Sequence, residues 1–320
     1  MAKNQPKKRN PFPYTAGFKR YHTYDFALRR RFGGKVARIS LDGGFTCPNR
    51  DGTLGTGGCA FCSGRGSGDL CADRLLPIEA QYRLQRAVAE KKWGSTKYLP
   101  YFQAFSGTYA PIERLRELYE RALALPGACG LIVATRPDCL GEAVLSYLSE
   151  LKERTYLCVE LGLQSAHEKT MRRMGRGHDT AAFLRGYEAL QKRDIFTAVH
   201  LINGLPGESA DDMLQSARFV AALQPHGVKF HMLQILRGTR LAELYEKEPF
   251  ALLDLQEYIE IVCRQIECLP PRTVVMRLCS DSAPGLCLSP LWPQKKFVVQ
   301  NEADKWFLRH DSYQGKAWEE

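Results

Sequence analysis

Three cysteines, Cys47, Cys59 and Cys62, stand in the stretch CPNRDGTLGTGGCAFC with the spacing C-x11-C-x2-C. The stretch is rich in glycine and turn formers and holds almost nothing apolar to pack, so its thiols call for a chemical explanation. A closed structural zinc site needs four protein ligands. The loop supplies three, and Cys71, the nearest fourth, opens CADRLLPIE, which reads as the approach to a helix. Three thiolates suit an iron–sulfur cube better, because its fourth iron can take an outside ligand. The glycines let backbone N–H groups approach the sulfides. On spacing alone, zinc and unliganded cysteines stay open as alternatives.

Two further residues are candidates for catalysis. Glu160, in CVELGLQS, is an acid inside an apolar strand-like run. A buried carboxylate is costly unless it is paired or hydrogen-bonded, so it is expected to face a cavity. There it either touches substrate or cofactor or is held by Arg136 of ATRPD. His231, in VKFHMLQIL, alternates with apolar neighbours and reads either as facing a barrel interior or as a satisfied core histidine. Cys129, Cys139, Cys158, Cys263 and Cys268 read as core residues, and Cys279 and Cys287 lack any paired spacing.

The elements that must position these groups alternate along the chain. KVARISL, YLPYFQAF, GLIVAT, TYLCVELGL, TAVHLI and VKFHMLQIL read as strands separated by helical stretches such as IERLRELYERALAL and DDMLQSARFVAAL. Short apolar strands between amphipathic helices predict a parallel sheet with crossover helices. Six such units predict an α/β partial barrel, (β/α)6, with its chemistry in the loops after the strands. The cysteine loop follows the first strand and so lies on that face. The boundaries read as a basic arm over 1–20, a core over 21–249 and a small α/β C-terminal extension over 250–320.

The net charge of +10 is uneven: residues 1–35 hold ten Lys or Arg against one acid, Asp25, and account for nearly all of it. Basic arms meet nucleic acid by displacing counterions from phosphates, although a solvated tail fits the composition equally well. No apolar run is long enough to span a bilayer, and MAKNQPKKRNPFPY lacks the apolar middle of a signal peptide, so the expected location is the cytoplasm. Disulfides are unusual there, which again points the clustered cysteines toward metal or redox chemistry.

The aromatic before the last cysteine, Phe61 in CAFC, resembles the radical S-adenosylmethionine (radical SAM) enzymes, whose three-cysteine loop follows the first barrel strand. Most of them use C-x3-C-x2-C; the long x11 gap resembles the branch that includes the catalytic subunit of Elongator. RYHTYDFALRRRFGGKVARISLDGGFTCPNRDGTLGTGGCAFCS, YFQAFSGTYAP, ATRPDCL, VELGLQSAHEKTMRRMGRGH, HLINGLPGES, LRGTRLAELY and SPLWPQKKFVV are similar to the bacterial YhcC/YtqA-type radical SAM group. The resemblance covers about residues 20–315.

It implies a [4Fe–4S] cluster on Cys47, Cys59 and Cys62 whose unique iron is chelated by S-adenosylmethionine. One-electron cleavage of the cofactor then gives a 5′-deoxyadenosyl radical that removes hydrogen from substrate. By likeness to oxygen-independent coproporphyrinogen oxidase, Gln164 of GLQS is expected on the ribose and Arg176 of MGRGH on the methionine carboxylate. Phe61 is expected near the adenine. Ser106, Gly107 and Thr108 stand where relatives contact the methionine amino group. LINGLPGES, with Gly204, resembles the motif flanking the adenine, and His200 replaces the relatives' acid on that strand. The implied substrate is wobble uridine in tRNA, at its aminomethyl side chain, and the implied reductant is a flavodoxin- or ferredoxin-type donor. Rival readings are radical chemistry on a protein or small metabolite, and a non-catalytic iron–sulfur or zinc module.

Overall fold

Each predicted strand forms where its β-branched and aromatic run lies. The computed structural model describes residues 10–292 and 296–319. In it β1 (Val36–Leu41), β2 (Lys97–Phe102), β3 (Gly130–Thr135), β4 (Tyr156–Gln164), β5 (Phe196–Asn203) and β6 (Gly227–Met232) pair in parallel in that order. The helices α1 (Tyr24–Phe32), α2 (Ile78–Trp93), α3 (Ile112–Leu123), α4 (Glu142–Arg154), α5 (Glu168–Arg173), α6 (Thr180–Gln191) and α7 (Ala210–Ala222) precede or link them. Then come β7 (Ile235–Leu236), α8 (Arg240–Lys247), α9 (Leu255–Glu267), β8 (Val274–Arg277), β9 (Cys287–Ser289) and α10 (Lys296–Arg309).

The sheet has seven strands, not six, among the described residues: β8, from the segment read as an extension, pairs with β6 and makes the far edge. That segment therefore extends the sheet as well as packing α9 and α10 on it. The edge strands β1 and β8 do not pair, so the curled sheet is a partial barrel. Helix α1 stands at the gap. Thr23 caps it, accepting from Phe26 N at 3.2 Å, and also bridges to Val275 in parallel register.

Successive side chains on a strand point to opposite faces, which divides the core in two. Leu131, Val133, Leu157, Val159, Val199, Leu201, Val228 and Phe230 face outward into the helices. Val36, Leu99, Ile132, Cys158, Ala198, Val274 and Met276 plug the barrel floor, sealed by Tyr24 and Leu28 of α1. Residues 1–9 of the basic arm lie outside the described residues. Residues 10–20 are seated on the body: Phe12 is buried, and Lys19 and Arg20 pair with Asp304 (2.5 Å) and Asp311 (2.8 Å). Among the described residues no helix is long and apolar enough to cross a membrane.

Candidate functional site

The first strand delivers the cysteine loop to the carboxyl end of the sheet. Cys47 opens a turn closed by Arg50 N and Asp51 N on its carbonyl, at 2.8 and 3.2 Å. The Arg50 guanidinium then reaches across to Cys62 O (3.0 Å) and Ser63 O (2.7 Å), tying the two ends of the loop together. Gly58, at φ +69°, is where this needs glycine, since a Cβ would stand 2.7 Å from Arg50 Nε. Ala60 is anchored on both sides, its N–H donating to Met174 O and its carbonyl accepting from Leu241 N. Burial pushes the Cys62 thiol up to about 11, and Cys59 beside it adds to the rise.

Cys47, Cys59 and Cys62 line one cavity with about 900 Å³ of space between its walls, open mouth included. Phe61, Ser106, Glu160, Gln164, Arg176, His200 and His231 line it too. Gln164 ends β4 at φ +75°, where the register with β5 shifts between Gly162 and Gln164. Such a bulge turns a strand-end side chain away from the regular pleat. Gly162 leaves the room in which two side chains meet, for a Cβ there would lie 2.6 Å from Gln164 Nε2 and 2.7 Å from Arg176 Nη2. Arg176 donates to Gly162 O at 2.6 Å, and its own carbonyl accepts from Arg136 Nη1 at 2.8 Å. It is buried, not a surface charge.

Three of the sequence candidates stand elsewhere. Gly107 packs on β3, its N–H donating to Ala134 O and its carbonyl accepting from Tyr119. Thr108 turns its hydroxyl to Thr135 and to Cys139 O, both at 2.6 Å. Gly204 lies against Leu253, outside the cavity wall. Arg136 does not hold Glu160: its guanidinium forms a two-pronged pair with Asp138, at 2.9 and 2.6 Å.

Glu160 belongs instead to a polar layer above the apolar floor. Its Oε2 accepts from Lys229 Nζ (2.5 Å), Tyr101 OH (2.6 Å) and His200 Nε2 (3.0 Å). Burial alone would raise this carboxyl; Lys229 and His200, with Arg38, outweigh it and hold it well below the usual carboxylate range. Burial pulls the Lys229 ammonium down to about 7 against the attraction of Glu160, with Arg38 and Arg277 adding to the drop. Tyr101, Lys229 and Arg277 line the cavity as well. Sequence reading passed over all three, although Lys229 carries the signal that Glu160 does, a charge inside an apolar strand two residues from His231.

The comparisons with known proteins join this geometry. A profile of the radical SAM superfamily matches residues 50–220, and a radical SAM C-terminal domain profile matches residues 225–308. The protein YtqA of Bacillus subtilis is 45% identical over 310 residues, 97% of this chain and 96% of that protein. The chain belongs to the radical SAM superfamily. Protein YhcC of Escherichia coli is 36% identical over 295 residues, 91% of this chain and 94% of its own length. The solved structure of the archaeal Elp3 of Methanocaldococcus infernus shares the fold, with a TM-score of 0.63 over 87% of this chain at 17% identity. This chain spans 64% of the length of that structure.

Radical SAM enzymes use a [4Fe–4S] cluster and S-adenosylmethionine, and the cavity fits both. Three thiols share its wall. Among the described residues no three His, Cys, Asp or Glu converge as a single metal ion would need, whereas a cluster spreads its irons apart. Arg176 Nε is buried with no hydrogen-bond partner and stands ready to donate to a carboxylate.

Proposed function

We propose that this radical SAM enzyme matures the aminomethyl side chain of wobble uridine in tRNA. The observation that carries the chemistry is the convergence of Cys47, Cys59, Cys62, Gln164 and Arg176 on one cavity at the carboxyl end of the sheet. In this reading the three cysteines hold the cluster. Arg176 orients the methionine carboxylate, Gln164 the ribose, and Phe61 packs by the adenine. The bound cofactors supply one-electron cleavage of a sulfonium and removal of a hydrogen atom from substrate. The chain's own part is to position these groups and keep the cavity walls dry. The substrate is carried by the composite motifs shared with the YhcC/YtqA-type group, and a flavodoxin- or ferredoxin-type protein in the cytoplasm is the matching electron source.

Two measurements test this. Nucleosides of bulk tRNA from cells with and without the gene are expected to differ at one wobble uridine, whose immature side chain accumulates without the enzyme. Identical profiles overturn the tRNA reading. Anaerobically reconstituted protein is expected to be brown with about four irons. Cys47→Ala, Cys59→Ala and Cys62→Ala each lose that iron, while Cys71→Ser keeps it, because Cys71 lies outside the cavity wall. Colourless protein holding one zinc overturns the cofactor assignment.

A further inference from the structure

The polar layer under the cysteine site leaves two acceptors in the cavity wall without a hydrogen. The donors lining the cavity here are engaged: Lys229 donates to Glu160 and Tyr101, Tyr101 and His200 donate to Glu160, and Arg277 pairs with Asp281. Arg38, outside that wall, keeps one buried nitrogen, Nη1, without a partner. Two buried acceptors receive nothing from any described residue. One is Glu160 Oε1, the second oxygen of a carboxylate with no solvent exposure. The other is His231 Nε2.

The tautomer of His231 follows from its neighbour. We assign it with the Ser280 hydroxyl donating to Met232 O, the shorter contact at 3.1 Å, so that its oxygen accepts from His231 Nδ1–H, 3.3 Å away. Nε2 is then a bare lone pair, and burial holds the imidazole neutral by lowering its pKa well below the ordinary value. Glu160 and His231 stand on either side of His200, which bonds the carboxylate and lies 5.0 Å from the His231 ring, centroid to centroid. Both line the cavity that holds the three cysteines. A buried acceptor left without a donor is costly, so a pair of them in the wall of one cavity points to a ligand that brings the hydrogens.

We propose that Glu160 and His231 are the substrate-recognition pair of this cavity and that they bind a primary amine of the substrate. For one small group to serve both acceptors it must bring at least two hydrogens, which a hydroxyl lacks and an amine has. The ionised carboxylate strengthens the contact with an amine that carries a proton. A carboxylate or phosphate group would meet two lone pairs and is disfavoured at this spot. The proposal rests on the radical SAM reading only in taking this cavity as the place of reaction.

The test is thermal unfolding of the reconstituted protein with S-adenosylmethionine, with methylamine, acetamide, acetate or inorganic phosphate each at about 100 mM and matched ionic strength. Methylamine is expected to raise Tm by about 2 °C, as a ligand at roughly tenfold its Kd does. Acetate and phosphate are expected to leave it unchanged. His231→Phe and Glu160→Gln should lose the methylamine shift, and His231→Gln, which keeps an acceptor, should retain part of it. A shift with acetate or phosphate instead, a shift with acetamide that equals that of methylamine, or no shift at all overturns the proposal. So does a methylamine shift that survives in His231→Phe. Iron content measured beforehand separates the two readings: protein without iron speaks against the cofactor assignment. The titration then proceeds on the unloaded chain, since the sheet and not the cysteine loop holds both residues.

Discussion

Gly162 decides whether Gln164 and Arg176, the two side chains proposed to hold S-adenosylmethionine, can share their place. A methyl group there would press on Gln164 Nε2 and Arg176 Nη2, at 2.6 and 2.7 Å, and both are ends of flexible side chains that can move away. Gly162→Ala is therefore expected to fold with a stability change under about 1 kcal/mol, because no backbone is struck. S-adenosylmethionine binding is expected to weaken about tenfold or more as the pair is displaced. Calorimetry together with urea unfolding checks both halves. Glu208 offers a second prediction. Its Oε1 accepts from Ser165 Oγ at 2.5 Å, its Oε2 is buried without a partner, and burial raises its pKa. A raised carboxyl favours the folded state fully below the ordinary carboxyl pKa and loses that contribution as pH rises through the folded value. Wild type should thus gain stability relative to Glu208→Gln as pH falls from 7.5 toward 4.5. Parallel curves across that range would contradict it.

At the scale of elements, helix α6 and the turn after β3 are fitted to each other at backbone distance. Gly186 sits inside α6, where alanine normally gains about 1 kcal/mol over glycine. Here a Cβ would stand 2.7 Å from Pro137 O and 3.0 Å from Pro137 Cα, both backbone atoms that cannot swing aside. The clash outweighs the propensity, and Gly186→Ala is expected to lose about 1–3 kcal/mol in urea unfolding. The effect should reach the site, because Arg136 and Asp138 flank Pro137 and Arg136 braces the Arg176 carbonyl. Increased stability in that variant would show that the turn yields more than its packing implies.

Across the whole molecule, charge is distributed less freely than composition suggests. Lys19, Arg20, Arg29 and Lys35 are paired with Asp304, Asp311 and Asp25, so part of the basic segment is already engaged with the body. If tRNA is the substrate, deleting residues 2–9 removes Lys3, Lys7, Lys8 and Arg9. Each phosphate contact contributes roughly 0.7–0.9 to the log–log salt slope. The deletion is therefore expected to flatten the slope of tRNA binding by at most about three and a half units, in filter binding at several salt concentrations. A wild-type affinity that does not change with salt would count against RNA.

What the sequence determined by itself was whatever depends on neighbours along the chain. The cysteine spacing, the period-2 and period-3.6 patterns and the loop after the first strand are local, and the strands β1–β6 and the cysteine cavity follow from them. Pairings between distant segments were decided only by the tertiary structure. Glu160 meets Tyr101 and Lys229 across 59 and 69 residues, and nothing in either strand singles out Lys229 over Arg136 as the partner. The place of β8 beside β6 depends on how far the sheet curls before its edge is covered. The turn that carries Ser106 into the cavity wall and leaves Gly107 and Thr108 outside it depends on contacts with β3. Which acceptors lack a hydrogen is a sum over every neighbour in space, and the folded barrel is the first place where that sum exists.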